Sequence, residues 1–146
     1  MVGIGAHTGS AVVGNFGGGR FFDYSAYGDT INVAARLQAA NKALGTRICV
    51  SATIAAKAEG FRGRPVGDLL LRGRTEPIRA FEPLEAGRYA SAETQAYLIA
   101  FEELAAGDRH AVTAFAALVG RDAEDGLASF HLKRLLNGET STTITL

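Results

Sequence analysis

At 146 residues the chain is long enough for one domain with a small appendage. Its 15 Lys and Arg residues balance 15 Asp and Glu residues, so a formal net charge of zero gives no electrostatic attraction to nucleic acid or to an anionic membrane. A hydrophobic content of 47% argues against disorder, no apolar run approaches membrane-spanning length, and the one cysteine allows no internal disulfide. We therefore expect a cytoplasmic globular protein with no membrane segment and no nucleic-acid partner.

The chain begins with two predicted strands, over residues 1–7 and 10–16. In the first, Gly3 and Gly5 alternate with Ile4, so one face of the strand is nearly bare and would let another backbone or a ligand approach closely. Three glycines then form a hairpin tip, which can be interpreted as a flexible turn or as a phosphate cradle. We favour the turn.

A helix is predicted after a short returning strand. Residues 22–27 are rich in aromatics, Gly28 breaks their pattern, and apolar residues then recur with helical spacing from residue 31. The helix is expected to run to about Leu44 and to stop at Gly45. This helix is the element around which the rest of the chain is organised.

Asn32 and Arg36 lie four residues apart, and so on one face of this helix, near its N-terminus. Backbone N–H groups without helical partners, the positive end of the helix dipole and a planar guanidinium all favour a bound anion there. The spacing alone leaves two interpretations open: a phosphate or nucleotide site, or a solvated first turn.

Four further elements are predicted before residue 84: a buried strand (46–50), a short helix (51–58), a strand interrupted at Pro65 (61–72), and a returning strand (78–83). Ser51 is the expected N-cap of the short helix. Cys49 lies in an apolar run and is interpreted as a small core residue rather than a nucleophile or metal ligand.

The last part of the chain is predicted to be helical. Two helices are expected over residues 93–106 and 109–119, and a third is expected to be capped by Asp122 and to end near Asn137. Because one helix pair cannot bury its apolar face alone, we expect this tail to pack on the preceding domain or on a partner, with the first arrangement favoured.

Two motifs carry a resemblance to a known family. The segment Y-G-D-T-I-N-V-A-A-R-L at residues 27–37, preceded by G-I-G-A-H-T-G at residues 3–9, resembles the catalytic domain of class III adenylate and guanylate cyclases. The match continues through residues 48–51 and ends near residues 79–81, so it covers roughly the first 84 residues.

The resemblance implies an α/β (α+β) fold, namely a partial ferredoxin-like nucleotidyl cyclase fold that lacks its N-terminal strands and is followed by a helical hairpin or three-helix tail. It divides the chain into the C-terminal portion of a cyclase catalytic domain (1–84), a linker (85–90), the helical tail (91–138) and a C-terminal extension (139–146). Loss of the N-terminal strands should leave a long strand edge near Ile4 unpaired.

The resemblance also implies a reaction and roles for four residues. Class III cyclases convert ATP or GTP to a 3′,5′-cyclic nucleotide and pyrophosphate with two divalent cations, Mg²⁺ or Mn²⁺. By resemblance, Asn32 would orient the ribose and Arg36 would stabilise charge on the α-phosphate. Arg74 would contact the triphosphate. Alternatively, Arg74 and its neighbour Arg72 are solvated charges that flank the hairpin turn. Ser25 would meet the purine, unless its hydroxyl merely satisfies a turn.

A serine hydroxyl can accept from the adenine amino group but can also donate, so ATP is favoured over GTP only modestly. The family's two metal-binding aspartates lie upstream of residues 3–9, so this sequence is expected to contain no metal ligand and to be inactive alone. In the family the active site spans a head-to-tail dimer, and this chain carries the Asn and Arg half.

The sequence leaves three functions open. The chain could supply half of an adenylate cyclase site, in a homodimer or with a complete cyclase domain. It could instead be a non-catalytic module that dimerises with and regulates a complete cyclase, or a nucleotide-binding domain without chemistry.

Overall fold

A computed structural model describes residues 3–7, 11–16, 19–21 and 28–146. The strands of these residues are β1 (Ile4–His7), β2 (Ala11–Phe16), β3 (Gly19–Phe21), β4 (Ile48–Ser51), β5 (Gly63–Leu70), β6 (Ile78–Pro83) and β7 (Thr143–Thr145). The helices are α1 (Gly28–Leu44), α2 (Ala52–Lys57), α3 (Ala86–Tyr89), α4 (Ala92–Ala105), α5 (Ala111–Arg121) and α6 (Gly126–Leu136). The fold is therefore mixed α/β, as expected for an α+β cyclase-like domain.

The seven described strands form one sheet in the order β3-β2-β1-β4-β6-β5-β7. The β1–β4 and β5–β7 pairs are parallel and the other neighbours are antiparallel. A parallel pair needs a long crossover connection, and α1 lies in the connection between β1 and β4. The sheet thereby places α1 against its central strands.

The expected unpaired strand edge near Ile4 is not observed, and that prediction was wrong. Ile4 lies opposite Gly14 of β2 on one side and opposite Ile48 of β4 on the other. The antiparallel strand β2 and the parallel strand β4 together pair both edges of β1. Among the described strands, β3 and β7 are the outer ones.

The bare face of β1 receives the backbone of α1. A Cβ atom placed on Gly5 would lie 2.8 Å from the carbonyl carbon of Leu37 and even closer to the backbone of Ala34 and Gln38. The side-chain amide of Asn41 also donates to the Ile4 carbonyl at 2.9 Å, which holds the helix to the strand. The sequence prediction of a close backbone approach is confirmed.

The remaining elements of the first 84 residues follow the predicted order. α1 ends at Leu44 as expected, and Cys49 is fully buried in β4. The predicted interruption of β5 is a shift in its register with β6 between Pro65 and Gly67. Ser51 occupies the N-cap position of α2, and its hydroxyl is hydrogen-bonded to that of Thr53 at 2.9 Å.

The tail differs from the prediction at two points. Residues 85–90, expected to be a linker, contain the short helix Ala86–Tyr89. The N-cap of the third long helix is Asp125, which accepts from the Ala128 amide at 3.2 Å, whereas Asp122 accepts from a neighbouring amide in the preceding turn. Aspartate is a favoured N-cap residue, so both side chains are suitable. Asp125 is the one that Arg64 of β5 holds by hydrogen bonds.

One continuous core joins the tail to the sheet and α1. Its largest fully buried side chains come from both parts of the chain: Leu37, Leu44, Val66, Leu69, Tyr97, Leu104, Phe115, Leu127 and His131. The Tyr97 hydroxyl donates to the Pro65 carbonyl of β5 at 2.6 Å. The tail thus packs on its own domain, as expected. Of the helices described, none is both long and apolar enough to cross a membrane.

Candidate functional site

Asn32 and Arg36 lie one turn apart on α1, about 6 Å along the helix axis. Asn32 is exposed and Arg36 is half-buried. The helix is held in place by the contact of its backbone with Gly5 described above. A side chain in this part of α1 is therefore presented from a rigid element, which favours a defined geometry.

The guanidinium of Arg36 reaches the β5–β6 hairpin at Gly73. A Cβ atom on Gly73 would lie 3.5 Å from one terminal nitrogen of Arg36 and 3.8 Å from the other. Gly73 has a φ of +83°, which a residue with a side chain rarely adopts, and the Arg74 amide closes the turn on the Leu71 carbonyl at 3.0 Å. The structure therefore brings Arg36 to the hairpin that carries the predicted phosphate contact.

A cavity of about 330 Å³ lies between α1 and this hairpin, and we call it the Arg36 cleft. Its walls are mainly apolar, and its lining residues are Arg36, Ala39, Ala40, Ala43, Leu71, Arg72 and Leu146. Two arginines beside one cleft create a local positive potential that suits an anionic ligand. Small alanine side chains on α1 leave the space that the cleft occupies.

The four residues predicted for the site are not all brought together. Ser25 lies outside the described residues. Arg74 is half-buried in the hairpin but does not line the Arg36 cleft, whereas its neighbour Arg72 does. Asn32 is one turn before Arg36 and is also outside the cleft lining. Their roles in a reaction stay predictions.

Leu146 is a cleft residue that the sequence analysis missed. It follows β7, which pairs in parallel with β5. The segment T-T-I-T before it alternates around one apolar residue and is rich in β-branched side chains, and this pattern could have indicated a strand.

A larger cavity of about 640 Å³ lies elsewhere, where Gly45 and the N-terminus of α6 meet. Its charged residues include Arg64, which donates to Glu82 at 2.7 Å and to both carboxylate oxygens of Asp125 at 2.8 and 2.9 Å. Burial disfavours the charged form of Asp125, but the hydrogen bonds and positive charge of Arg64, together with the Ala128 amide, hold the pKa of this carboxyl below its usual value. These charges serve to join the tail to the sheet.

The nucleophilic and metal-ligating side chains of the described residues have structural environments. Burial, and then Glu82, raise the pKa of the Cys49 thiol to about 12, so Cys49 is a neutral core residue. Burial lowers the pKa of His131 to about 4, and its Nε2 atom lies 2.8 Å from the Val66 carbonyl oxygen. Within the described ranges, no group of three or more His, Cys, Asp or Glu side chains could hold a metal ion.

Comparisons with known proteins agree with the motifs. Residues 1–84 match the family described as the adenylate and guanylate cyclase catalytic domain. Over 80 residues the chain is 39% identical to adenylate cyclase 1 of Rhizobium meliloti. The aligned segment covers 54% of this chain and 12% of that protein. Over 88 residues it is 35% identical to uncharacterized proteins of Mycobacterium bovis and Mycobacterium tuberculosis. This aligned segment covers 58% of this chain and 16% of each relative.

The chain thus spans only a small part of the length of these curated relatives. No solved structure matches it significantly.

Proposed function

Because the chain belongs to the adenylate and guanylate cyclase catalytic-domain family, we propose that it supplies one half of an adenylate cyclase site. In this proposal residues 1–84 are the C-terminal portion of the catalytic domain, residues 85–90 connect it to the helical tail at residues 91–138, and residues 139–146 are an extension. The reaction is conversion of ATP to cyclic AMP and pyrophosphate in intracellular signalling.

One observation carries the proposal. Asn32 and Arg36 stand one turn apart on a helix whose backbone is seated on β1, and the Arg36 guanidinium lies against the hairpin that contains Arg72 and Arg74. A guanidinium held between a rigid helix and a second basic segment suits the phosphates of a nucleotide.

The chemistry assigned to these residues is electrostatic. The ribose 3′-hydroxyl loses its proton to solvent as its oxygen attacks the α-phosphorus, the bond from that phosphorus to the oxygen bridging the α- and β-phosphates breaks, and pyrophosphate leaves. Negative charge on the α-phosphate oxygens is stabilised by Arg36, and Asn32 orients the ribose so that the attack is in line. Preorganised donors of this kind are worth several kcal/mol in the transition state.

The substrate proposal is ATP, with GTP as the alternative. It rests on the hydroxyl of Ser25, which can accept a hydrogen bond from the adenine amino group. It is supported by the similarity to a relative named as an adenylate cyclase. The family description includes both adenylate and guanylate cyclases.

The family's Mg²⁺ or Mn²⁺ ions do not fit the part of the chain that the structure describes, since it offers no cluster of metal-ligating side chains. We propose that the metal-binding aspartates come from a complete cyclase domain that pairs with this chain in a head-to-tail dimer.

A complementation assay tests the proposal. Cyclic AMP formation from Mn²⁺·ATP is measured with this chain alone, and then with a cyclase domain that keeps its metal aspartates but has its own Asn and Arg replaced. Activity only in the mixture is expected, and Arg36→Ala in this chain should abolish it. Silence in the mixture with a folded chain by circular dichroism would favour the alternative function, a non-catalytic module that regulates a complete cyclase.

A further inference from the structure

One wall of the Arg36 cleft comes from the segment that follows the helical tail. Six of its seven lining residues belong to α1 and to the β5–β6 connection, and the seventh is Leu146. Leu146 keeps 40% of its surface exposed, so it borders the cleft without filling it. The segment after the helical tail therefore forms part of the surroundings of the proposed transition-state arginine.

Leu146 is held at the cleft by β7. Asp68 and Leu70 of β5 pair with Thr143 and Thr145 of β7. Ile144, between these two threonines, is only 3% exposed and anchors β7 in the core. The Leu146 amide donates to the Leu70 carbonyl at 3.3 Å, which continues the pairing to the cleft.

A second set of contacts fixes the start of the same segment. The Asp68 amide donates to the Thr142 carbonyl at 2.8 Å, and the Thr142 hydroxyl donates to the Asp68 carboxylate at 2.7 Å. That carboxylate also accepts two hydrogen bonds from Arg79, at 2.6 and 3.0 Å. The segment is thus secured to β5 from Thr142 to Leu146.

α6 is connected to this segment through Arg134, whose side chain is almost completely buried. One terminal nitrogen of Arg134 donates to the carbonyls of Ser141 and Thr143, each at 2.8 Å, and the other lies 3.1 Å from Nδ1 of His131. Nε2 of His131 donates to the Val66 carbonyl. Because a neutral imidazole has one donor nitrogen and one acceptor nitrogen, Nδ1 accepts from Arg134. A continuous set of hydrogen bonds therefore joins β5, α6 and β7.

We propose that Leu146 is a positioning residue for Arg36, and that β7 is the element through which the C-terminal extension sets the geometry of the cyclase half-site. This inference rests on the proposed function. A long arginine side chain has many rotamers, and an apolar wall on the cleft that it lines reduces the number it can adopt. A small displacement of a catalytic group can reduce turnover strongly, so a wall of this kind affects rate more than substrate binding.

The test compares three variants of the full chain: Leu146→Ala, Leu146→Met as the conservative replacement, and Leu136→Ala as the control. Leu136 lies on α6, is 68% exposed and does not line the Arg36 cleft. Each variant is first checked for native secondary structure by circular dichroism.

The first measurement does not depend on activity. Each chain alone is treated with phenylglyoxal, and the modification of Arg36 is followed by mass spectrometry. Leu146→Ala should be modified at Arg36 about threefold faster than the unsubstituted chain, because a smaller side chain at residue 146 opens the cleft to the reagent. Leu146→Met and Leu136→Ala should keep the original rate.

The second measurement is turnover in the complementation assay. Leu146→Ala should lower kcat about tenfold with little change in KM. Leu146→Met should have a kcat close to that of the unsubstituted chain. Equal behaviour of Leu146→Ala and Leu136→Ala in both measurements would overturn the inference. A changed Arg36 reactivity, together with an Arg36→Ala variant of normal turnover, would support the positioning role and refute the proposed function of Arg36.

Discussion

Arg64 and Asp125, 61 residues apart in sequence, form a bidentate ion pair with N–O distances of 2.8 and 2.9 Å. Arg64 lies on β5 and is 4% exposed, and Asp125 caps α6. The Arg64 guanidinium also lies 4.7 Å from the ring centroid of Tyr97. This pair joins the segment that matches the cyclase family to the helical tail.

Asp125→Ala is predicted to reduce the free energy of unfolding by about 2 kcal/mol or more, because buried Arg64 loses two charge-assisted hydrogen bonds and keeps only Glu82 as an ionic partner. Loss of the helix cap adds to this effect. Urea denaturation followed by circular dichroism measures it. Asp122→Ala is the matched control, since Asp122 is exposed and caps only a turn. Equal midpoints for the two variants would show that the pair is not stabilising.

Stability is predicted to fall as the pH is lowered from about 6.5 to about 4, because of His131. Burial lowers its folded-state pKa from 6.5 to about 4, so the unfolded chain binds a proton in this range and the folded chain does not. The loss should approach about 3 kcal/mol at the lower limit.

The matched replacement is His131→Gln, whose amide can donate to Val66 and accept from Arg134 without titrating. Its unfolding free energy should depend less on pH in this range than that of the unsubstituted chain. His110→Gln, which removes an exposed imidazole, is the control. A pH dependence unchanged by His131→Gln would contradict the assignment.

Acid is predicted to destabilise the chain further below the ordinary aspartate range. Burial raises the pKa of Asp125, but the hydrogen bonds and charge of Arg64, together with the Ala128 amide, lower it by more, so its folded pKa lies below the usual value. Hydrogen bonds from Arg79 and Thr142 lower the folded pKa of Asp68. Stability from a lowered carboxyl pKa is complete above the unfolded value of 3.8 and is lost as the pH falls through the folded value. Acid titration of Asp125→Asn should show a smaller loss in this range than the unsubstituted chain, and an equal loss would refute the contribution.

Gly5→Ala is predicted to be strongly destabilising, by about 2 kcal/mol or more, because its Cβ would overlap the backbone of α1. Gly120→Ala is the matched control on α5, where nothing lies within 4 Å of the added carbon. That change should instead stabilise the helix by about 0.5–1 kcal/mol. Thermal unfolding distinguishes the two, and a tolerated Gly5→Ala would contradict the packing of α1 on β1.

Arg36→Ala is predicted to lower turnover at least about a hundredfold in an intact enzyme, as expected for a donor that stabilises transition-state charge. Lys42→Ala, an exposed cation on the same helix, should leave kcat unchanged and controls for the loss of positive charge. An Arg36→Ala enzyme with the original kcat would refute the catalytic role.

Local sequence signals predicted most elements and the candidate helix. The spacing of apolar residues and Gly45 indicated α1 and its end at Leu44, and the bare face of β1 indicated a close backbone approach at Gly5. These features depend on the short-range spacing of apolar residues and on the missing side chain of Gly5, and both can be identified from the sequence. The family resemblance of the first 84 residues was likewise readable from two motifs.

Long-range pairing was not readable in this way. The choice of Asp125 over Asp122 as cap was decided by Arg64, and the full pairing of β1 was decided by β4, which lies more than 40 residues further along the chain. Both depend on which distant groups meet in space.

The sequence by itself determined the family, the helix that carries Asn32 and Arg36, and the apolar faces of the tail. Only the tertiary structure decided that β7 joins the sheet beside β5 and brings Leu146 to the Arg36 cleft. The physical reason is that a three-residue strand has almost no stability of its own. Its position is set by the burial of Ile144 and by hydrogen bonds to distant β5 and Arg134, which no local pattern specifies.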